Sequence, residues 1–599
     1  MQIGIGRSDH NLWSVGACLA ACVSFFIWAS GHGYDINDES YYLLWDSAPF
    51  SLHFSVSRFG YFWHPIYKLV GGNIALLRIA GASILVACSA TFAFALQKFI
   101  DFRSGSGNER YLIVLSISTS AFWFYCTWLS VPGYNLLNLC ALLLFFSGLL
   151  AATEGATKVG ASDRWQTIGP AILSGVSLGV MALVKPTTWA AAIVLGVAWL
   201  VLLRPPRTSV FIAVLAVSSA VMLSISILLI DGSLSVFLDN LLSSLAILRL
   251  QDHPGDVHGI VNSVLGPFER DRVWKIFPAI ALGIAILCVC IGIVSTMLGL
   301  MKINHRLQKI ISYGLVAALA IFIAMARAVD LQLPIPWYNY HAWYFSFLIL
   351  ACAIAIVLAR TKFIEWDGWQ RRAIAAALVA LAPIAYSFGS NVTILRHMVA
   401  ASVFWAGTTM LICSLASSVQ RKQLFGITAV LCGMATIGLF AGLVLAPIGS
   451  EAPLMQQTEA VTVGPDGARL LVDRTTADYI RSFQRAAVGA GFEPGTPVVD
   501  LTEFGPGIVF ALSGSAPGLP WLADNPDGSM TVALAVLKTI PKSELQRAWI
   551  ITGSSRNFSN IRTALNAVGL NFPAAYHVVV AAKLDAFGWQ HSLWKPATH

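Results

Sequence analysis

The residues with the most chemistry to offer in this 599-residue chain lie in one stretch, Tyr34–Lys68, reading YDINDESYYLLWDSAPFSLHFSVSRFGYFWHPIYK. It holds Asp35, Asp38, Glu39, Arg58 and His64 among many aromatic side chains, between two long apolar segments. Only 11% of the chain is charged, so three carboxylates within five residues at the edge of a membrane point to a site more than to a plain solvated loop, the alternative reading. Carboxylates here can take a proton from a hydroxyl or an amine. Arg78, Lys185, Arg327, Asp330 and Arg396 fall at the ends of apolar segments on the same side as this loop. Ionisable groups at such positions persist where they line a polar cavity or pair with another charge. Carboxylates on one wall and cations on another suit a reaction in which a nucleophile loses a proton while a phosphate leaves.

Other sequence features carry less. His253, Asp256 and His258 lie in a Gly/Pro-rich polar stretch, QDHPGDVHG, and read as surface polar residues rather than metal ligands. The ten cysteines sit within or at the edges of apolar segments without CxxC spacing and read as small apolar side chains. A net charge of +8 does not indicate nucleic acid, because the basic residues are spread over short loops between apolar runs.

The elements that must position these groups are membrane helices. A 57% hydrophobic composition leaves too little polar surface for a soluble globule. Segments of this length in hydrocarbon must satisfy their backbone internally, as helices do. The expected fold is an all-α polytopic helical bundle with a C-terminal exported α/β domain. After a first span near Leu12–Ala29, kept as a helix rather than cleaved as a signal, apolar runs follow at 74–96, 111–129, 134–152, 168–184, 187–203, 210–230, 277–300, 310–326, 341–359, 373–388, 398–415 and 424–445. That makes about thirteen spans at roughly 20 residues each. With the N-terminus in the cytoplasm, the cytoplasmic loops collect Lys98, Arg103, Arg110, Lys158, Arg164, Arg204, Arg207, Lys302, Arg306, Lys309, Arg360, Lys362, Arg371, Arg372, Arg421 and Lys422. Residues 30–70, 231–276, 328–340 and the chain after 446 then lie outside. Within 231–276, LSVFLDNLLSSLAILRL is amphipathic and is expected along the membrane surface.

From about 447 the composition changes. Short β-branched runs (ARLLV, PVVDL, AWIIT, AYHVVVAAKL) alternate with amphipathic helices at Thr476–Gly489 and Asn557–Val568, which predicts a small α/β domain over 447–599. In VVDLTEFGPGIVFAL a strand, a Gly-containing turn and a helix follow one another, and the stretch reads as a simple βα turn rather than an anion site.

Asp38-Glu39 followed by Tyr41-Tyr42, then Tyr61-Phe62-Trp63-His64-Pro65, then Leu77-Arg78 at the start of the next helix, resembles the first-loop pattern of the membrane-embedded GT-C glycosyltransferases. The branch resembled contains the protein O-mannosyltransferases, the lipid A aminoarabinose transferases and the O-antigen-modifying transferases. Gly175, Gly179 and Lys185-Pro186 resemble the glycine-spaced helix ending in Lys that these enzymes often carry. The resemblance covers about the first 200 residues, and Trp63 stands where some relatives have a carboxylate. It implies a glycosyltransferase that moves a sugar from a polyprenyl-phosphate carrier to a cell-envelope glycan, lipid or protein on the outer face of a bacterial inner membrane. It implies Asp38 and Glu39 as catalytic carboxylates and His64 at the family's basic position toward the donor phosphate; Arg78, Lys185 and Arg396, at outer helix ends, read as a clamp on that phosphate or as snorkelling and topology residues. Tyr41, Tyr61 and Arg58 are expected against sugar or acceptor; the aromatics Trp45, Trp63, Trp337, Tyr338, Tyr340, Trp343 and Tyr344 suit either stacking on a sugar or an interfacial aromatic belt. No cofactor is expected beyond the lipid-linked co-substrate, and the sequence leaves a divalent metal open. The rival readings are a flippase for lipid-linked sugars and an O-antigen polymerase or ligase.

Overall fold

A computed structural model describes residues 7–52, 54–100, 107–126, 131–154, 165–251, 368–389, 397–445, 447, 452–502, 506–522, 530–553, 558–584 and 588–597. The apolar runs form helices, because in each of them a continuous hydrophobic sequence satisfies its own backbone. They are α1 (Arg7–Ala29), α4 (Ile74–Ile100), α5 (Gly107–Ser120), α6 (Tyr134–Glu154), α7 (Trp165–Val184), α8 (Pro186–Leu203) and α9 (Thr208–Asp231), followed by α11 (Trp369–Ala380), α12 (Ala382–Ser387), α13 (Val403–Cys413) and α14 (Ser418–Leu445). Two short helices, α2 (Asp38–Ser47) and α3 (Phe59–Leu69), lie in the first loop, and α10 (Leu234–Gln251) follows α9. Among the described residues, six helices are long and apolar enough to cross a membrane. The runs expected at 277–300, 310–326 and 341–359 lie outside the described residues, as does the turn with His253, Asp256 and His258.

Small residues set the packing of the bundle, as they do where backbones must approach closely. A Cβ on Gly175 would meet Ser218 Oγ at 2.0 Å and the Leu215 carbonyl at 2.3 Å, and one on Gly179 would meet Met222 Cβ at 2.9 Å. The glycine spacing of α7 is therefore the seat of α9. Between α7 and α8 the helix breaks at Lys185 (φ −151°, ψ 84°), with Pro186 opening the next helix. Proline at a first helical position costs no hydrogen bond.

The C-terminal part forms a hairpin, β1 (Glu459–Val463) with β2 (Ala468–Val472), and a four-stranded sheet of β3 (Val498–Leu501), β4 (Trp549–Thr552), β5 (Tyr576–Leu584) and β6 (Trp589–Pro596) in the order β3-β4-β6-β5. β3 and β4 are parallel, and the other pairs are antiparallel. Helices α15 (Arg474–Gly489), α16 (Gly507–Ala511), α17 (Thr531–Leu537), α18 (Lys542–Arg547) and α19 (Phe558–Ala567) complete it. The four anticipated strands and both anticipated helices are present. β1 and β6 were not expected, and β6 carries His, Gln, Ser and Lys among its aromatics.

This domain and the first loop occupy the same end of the bundle. One buried apolar cluster runs without a break from the bundle through Tyr42, Trp45 and Phe59 of the loop to Val461, Leu470 and Phe510 of the domain. A second cluster joins Ile247 of α10 to Val532 and Val536 of α17. The amphipathic stretch expected on the membrane surface thus lays part of its apolar face against the C-terminal domain.

Candidate functional site at the outer loop

Asp35 begins the site by shaping α2. Its Oδ1 and Oδ2 accept from the backbone N–H groups of Asn37 (3.2 Å) and Glu39 (3.2 Å), while Glu39 Oε2 accepts from the Asp35 N–H at 3.1 Å. These bonds use donors that a helix start leaves unsatisfied and put carboxylate charge at its positive end. Burial raises the Asp35 carboxyl to about 7, aided by the charges of Glu39 and Asp38 and opposed by those two N–H bonds.

Glu39 faces inward to Arg78, and both are almost wholly buried. Arg78 Nε and Nη2 reach Glu39 Oε1 at 3.0 and 2.7 Å, and Nη2 reaches Oε2 at 2.8 Å. Nη1 donates to the carbonyls of Ser30 (2.7 Å) and His32 (2.9 Å), and Nη2 to that of Gly33 (2.9 Å). A guanidinium has five N–H groups, and all five of Arg78 are engaged within the chain. Arg78 therefore fixes Ser30–Glu39 and has no donor left for a phosphate in this geometry.

Asp38, next to Glu39 in sequence, lies on another face of α2 and is half-buried. Residues four apart share a helix face, so Asp38 has Tyr42 beside it. Burial raises the Tyr42 hydroxyl well above its ordinary value, followed by the charges of Tyr134 and Asp38. The Tyr42 ring meets Tyr134 edge-on at 6.0 Å and Phe59 at 5.5 Å. It lies over Gly133, where an added Cβ would meet ring atoms at 2.8–2.9 Å. The turn VPGYN, which has no acid, thus supplies an aromatic wall.

Beyond Tyr134 the polar side chains continue into the bundle. The Tyr386 hydroxyl donates to the Asn135 carbonyl at 3.4 Å, its ring stacks on His397 at 4.7 Å, and His397 Nε2 lies 3.1 Å from Asn135 Oδ1. Asn138 Nδ2 donates to Thr188 Oγ1 at 3.2 Å. Lys185 is buried; its Nζ donates to the Tyr386 carbonyl at 2.8 Å and lies 5.0 Å from that ring's centre. Among the described residues Lys185 has no carboxylate partner. A buried ammonium without a counter-ion is unfavourable unless an anion joins it.

The remaining expected site residues are spread along the loop. Arg58 is held by Asp231 at the end of α9 (3.2 Å) and by the Ser55 carbonyl (3.1 Å), and its backbone N–H donates to Leu183 O (2.9 Å). It ties the loop to the ends of α7 and α9. His64 Nδ1 lies 2.7 Å from the Asp46 carbonyl. The rings of His64 and Tyr61 meet Phe50, which is 65% exposed, at 6.0 and 5.0 Å. Tyr41 is half-buried beside Trp45 and Phe59. Trp45 and Trp63 are fully buried, Trp63 donating to the Gly133 carbonyl at 3.3 Å, so neither offers a sugar an open face. Arg396, Arg327, Asp330, Trp337, Tyr338, Tyr340, Trp343 and Tyr344 lie outside the described residues. No group of three or more His, Cys, Asp or Glu that could hold a metal occurs among the described residues.

Sequence reasoning missed Tyr134, Asn135, Tyr386 and His397. A signal existed for part of this network: Asn135 and Asn138 stand three apart in an otherwise apolar span, and polar groups on one face of a membrane helix mark an inward-facing surface.

No family model matches the chain, and no curated protein matches it. Among solved structures it is similar to ArnT from Cupriavidus metallidurans bound to undecaprenyl phosphate, at 12% identity and a TM-score of 0.39, over 97% of both chains. It is also similar to the oligosaccharyltransferase of Archaeoglobus fulgidus in the apo form, at 11% identity and a TM-score of 0.44, over 94% of this chain and 73% of that one. The archaeal oligosaccharyltransferase AglB from Archaeoglobus fulgidus, in complex with an inhibitory peptide and a dolichol-phosphate, matches at 11% identity and a TM-score of 0.42, over 90% of this chain and 69% of that one.

Proposed function

We propose that this chain is a membrane glycosyltransferase that moves a sugar from a polyprenyl-phosphate donor to a hydroxyl or amine of a cell-envelope acceptor on the outer face of the membrane. The observation that carries the reading is the pairing of environments along one polar path. At one end is Asp38, a half-buried carboxylate on a helix locked by Asp35, Glu39 and Arg78. At the other is Lys185, a buried cation without a carboxylate partner among the described residues. Tyr42, Tyr134, Asn135 and Tyr386 lie between. In the reaction, Asp38 takes the proton of the acceptor as its oxygen or nitrogen bonds to the anomeric carbon. The bond from that carbon to the phosphate oxygen breaks, and the lipid phosphate leaves with the electron pair. Lys185 offsets the charge that this phosphate gains. The leaving group is already a stable anion, so positioning, charge neutralisation and one base supply most of the catalysis. Glu39 and Arg78 serve by holding the loop, and Arg58 by anchoring its far end. His64, Tyr61 and Tyr41 are left as candidates for contact with sugar or acceptor.

The test is sugar release from radiolabelled polyprenyl-phosphate sugars by the full-length protein in vesicles, without ATP or an ion gradient. Consumption of one donor by wild type and its loss in Asp38→Asn is the expected result. Movement of the intact lipid-linked sugar between leaflets, with no bond cleaved, would instead make the chain a flippase.

A further inference from the structure

The strand-rich domain touches the acidic loop through its backbone, on both sides of the residues that shape α2. Gly33 N–H donates to Leu471 O at 2.8 Å, and Leu471 N–H donates to Gly31 O at 2.9 Å, so β2 of the domain continues as a bridge onto the loop. Three residues later, Gly507 N–H donates to Ile36 O at 2.8 Å, and the Tyr34 hydroxyl donates back to Gly507 O at 2.6 Å. Gly507 opens α16, the turn read from sequence as a simple βα connection. Its lack of a side chain is what permits the approach: a Cβ there would meet Ile36 Cγ2 at 2.4 Å, Cα at 2.5 Å and O at 2.6 Å. Two of those three atoms are backbone, so no rotamer change relieves the contact. Arg78 holds the same segment from the bundle side through the carbonyls of Ser30, His32 and Gly33. Residues 30–36 are thus gripped between a guanidinium below and two backbone docking points above, and Asp38 follows two residues later.

We propose that the C-terminal domain is a positioning element of the active site, with Gly507 its key positioning residue. The domain sets where α2 starts and hence where the Asp38 carboxylate stands. This rests on the transferase reading only for its effect on turnover; the grip itself is a property of the fold. Displacing α2 by an ångström or less is enough to matter, because reactions that depend on near-attack geometry can lose about 10²-fold from a 1 Å misplacement.

The experiment compares wild type with Gly507→Ala, Tyr34→Phe and Gly489→Ala, all as the full chain in detergent. Gly489 ends α15 in the same domain and has nothing within 4 Å of an added Cβ, so its variant is the control. Amide hydrogen exchange is read first, over peptides covering residues 30–40. Gly507→Ala is expected to speed exchange there by about tenfold or more, Tyr34→Phe by less, and Gly489→Ala not at all, with the exchange of α4 and α6 unchanged. Turnover is read second, on the polyprenyl-phosphate sugar that wild type consumes. Here Gly507→Ala should lower kcat by about tenfold or more with little change in donor KM, with kcat taken per folded protein counted from the monodisperse fraction on size exclusion, because loss of folded protein alone lowers the apparent kcat at constant KM. If Gly507→Ala leaves exchange at 30–40 as in wild type, the grip does not exist and the proposal fails. If exchange rises while kcat holds, the domain docks on the loop without positioning the reaction, and the proposal fails in that form. If wild type consumes no donor, the transferase reading falls, while the exchange result still decides whether the domain holds the loop.

Discussion

Asp38 and Glu39 are neighbours in sequence, yet their surroundings share little. Glu39 lies in a closed cage in which each carboxylate oxygen and each Arg78 N–H has a partner. Asp38, one residue earlier, lies half-buried on the tyrosine-lined side of the same helix. The contrast shows how a short helix separates two environments: successive residues differ by about 100° around the axis, so Glu39 closes an ion-pair cage with Arg78 while Asp38 faces the side of Tyr42. An acidic pair in a sequence therefore need not be a catalytic pair.

The largest effect expected from breaking that contrast is at the cage. Arg78→Ala takes the counter-ion from the buried Glu39, which keeps the Asp35 N–H, and removes the donor to three carbonyls, and removing one member of a buried pair costs about 3–5 kcal/mol. The variant should lose the fold of the outer loop, seen as a sharply lowered thermal midpoint. Arg78→Lys should not restore it, because an ammonium offers three donors in place of a five-donor planar fork. A midpoint equal to wild type for Arg78→Ala would mean that the cage is ornamental.

At Asp38 the signs reverse. Asp38→Asn keeps the size and shape of a half-buried side chain and should cost less stability than Arg78→Ala. Turnover should fall by roughly 10²-fold or more, the typical contribution of a general base. Asp38→Asn with wild-type turnover, in inserted and folded protein, would remove the base from the mechanism and leave Glu39 and Asp38 alike as structural residues.

Lys185 sharpens the comparison from the far end of the path. Because its charge is buried without a carboxylate among the described residues, Lys185→Met should be neutral or slightly stabilising, as replacement of buried charge by an apolar group of similar volume often is. Donor KM should nonetheless rise by about tenfold, corresponding to one charge-assisted contact with the phosphate. A strongly destabilised Lys185→Met would show that the ammonium is needed for its bond to the Tyr386 carbonyl instead.

How much of this could be read from the chain follows from the range of the signals. Hydrophobic runs are local and long, so the six long apolar helices of the described residues and their approximate bounds were legible, as were the β-branched strands of the C-terminal domain. The loop Tyr34–Lys68 was legible as a site because its charges stand out against an apolar background. What the sequence could not express was partner choice. Nothing local says that Arg78 pairs with Glu39 across 39 residues, that Arg58 reaches Asp231, or that Gly507 seats Ile36 from the other end of the chain. These contacts depend on which helix ends meet, and a charged residue at a helix end looks the same whether it awaits a ligand or already has a partner. β6 was missed for a related reason: it is a central strand of the sheet, between β4 and β5, but half its side chains are polar and find their partners only in three dimensions, as His591 does with the Tyr479 hydroxyl.

The smallest predicted effect lies away from the site, in the core of the C-terminal domain, and concerns pH. Asp500, the third residue of β3, is 3% exposed, and its Oδ2 has no hydrogen-bond partner among the described residues. Burial pushes its carboxyl up to about 7, opposed by hydrogen bonds from the Thr502 hydroxyl and N–H. A carboxyl whose folded value exceeds the ordinary 3.8 binds more protons folded than unfolded, so its destabilising effect is full above about pH 7 and fades as pH falls toward 4. His591 works in the opposite sense, because burial lowers it to about 4 and its cost appears as pH falls below 6.5. Subtracting the melting curve of Asp500→Asn from that of wild type cancels the histidine and leaves the aspartate. The amide keeps the oxygen that accepts from Thr502 and carries no charge, so the variant should melt above wild type at pH 8, with the gap closing between pH 7 and pH 4. At about 2–4 °C per kcal/mol for a unit of this size, the shift is within reach of tryptophan fluorescence during a thermal ramp, with Trp549 and Trp594 in the same sheet as reporters. A gap that stays constant from pH 4 to pH 8 would mean that Asp500 is ionised in the folded domain at every pH tested, and that water or another group reaches its second oxygen.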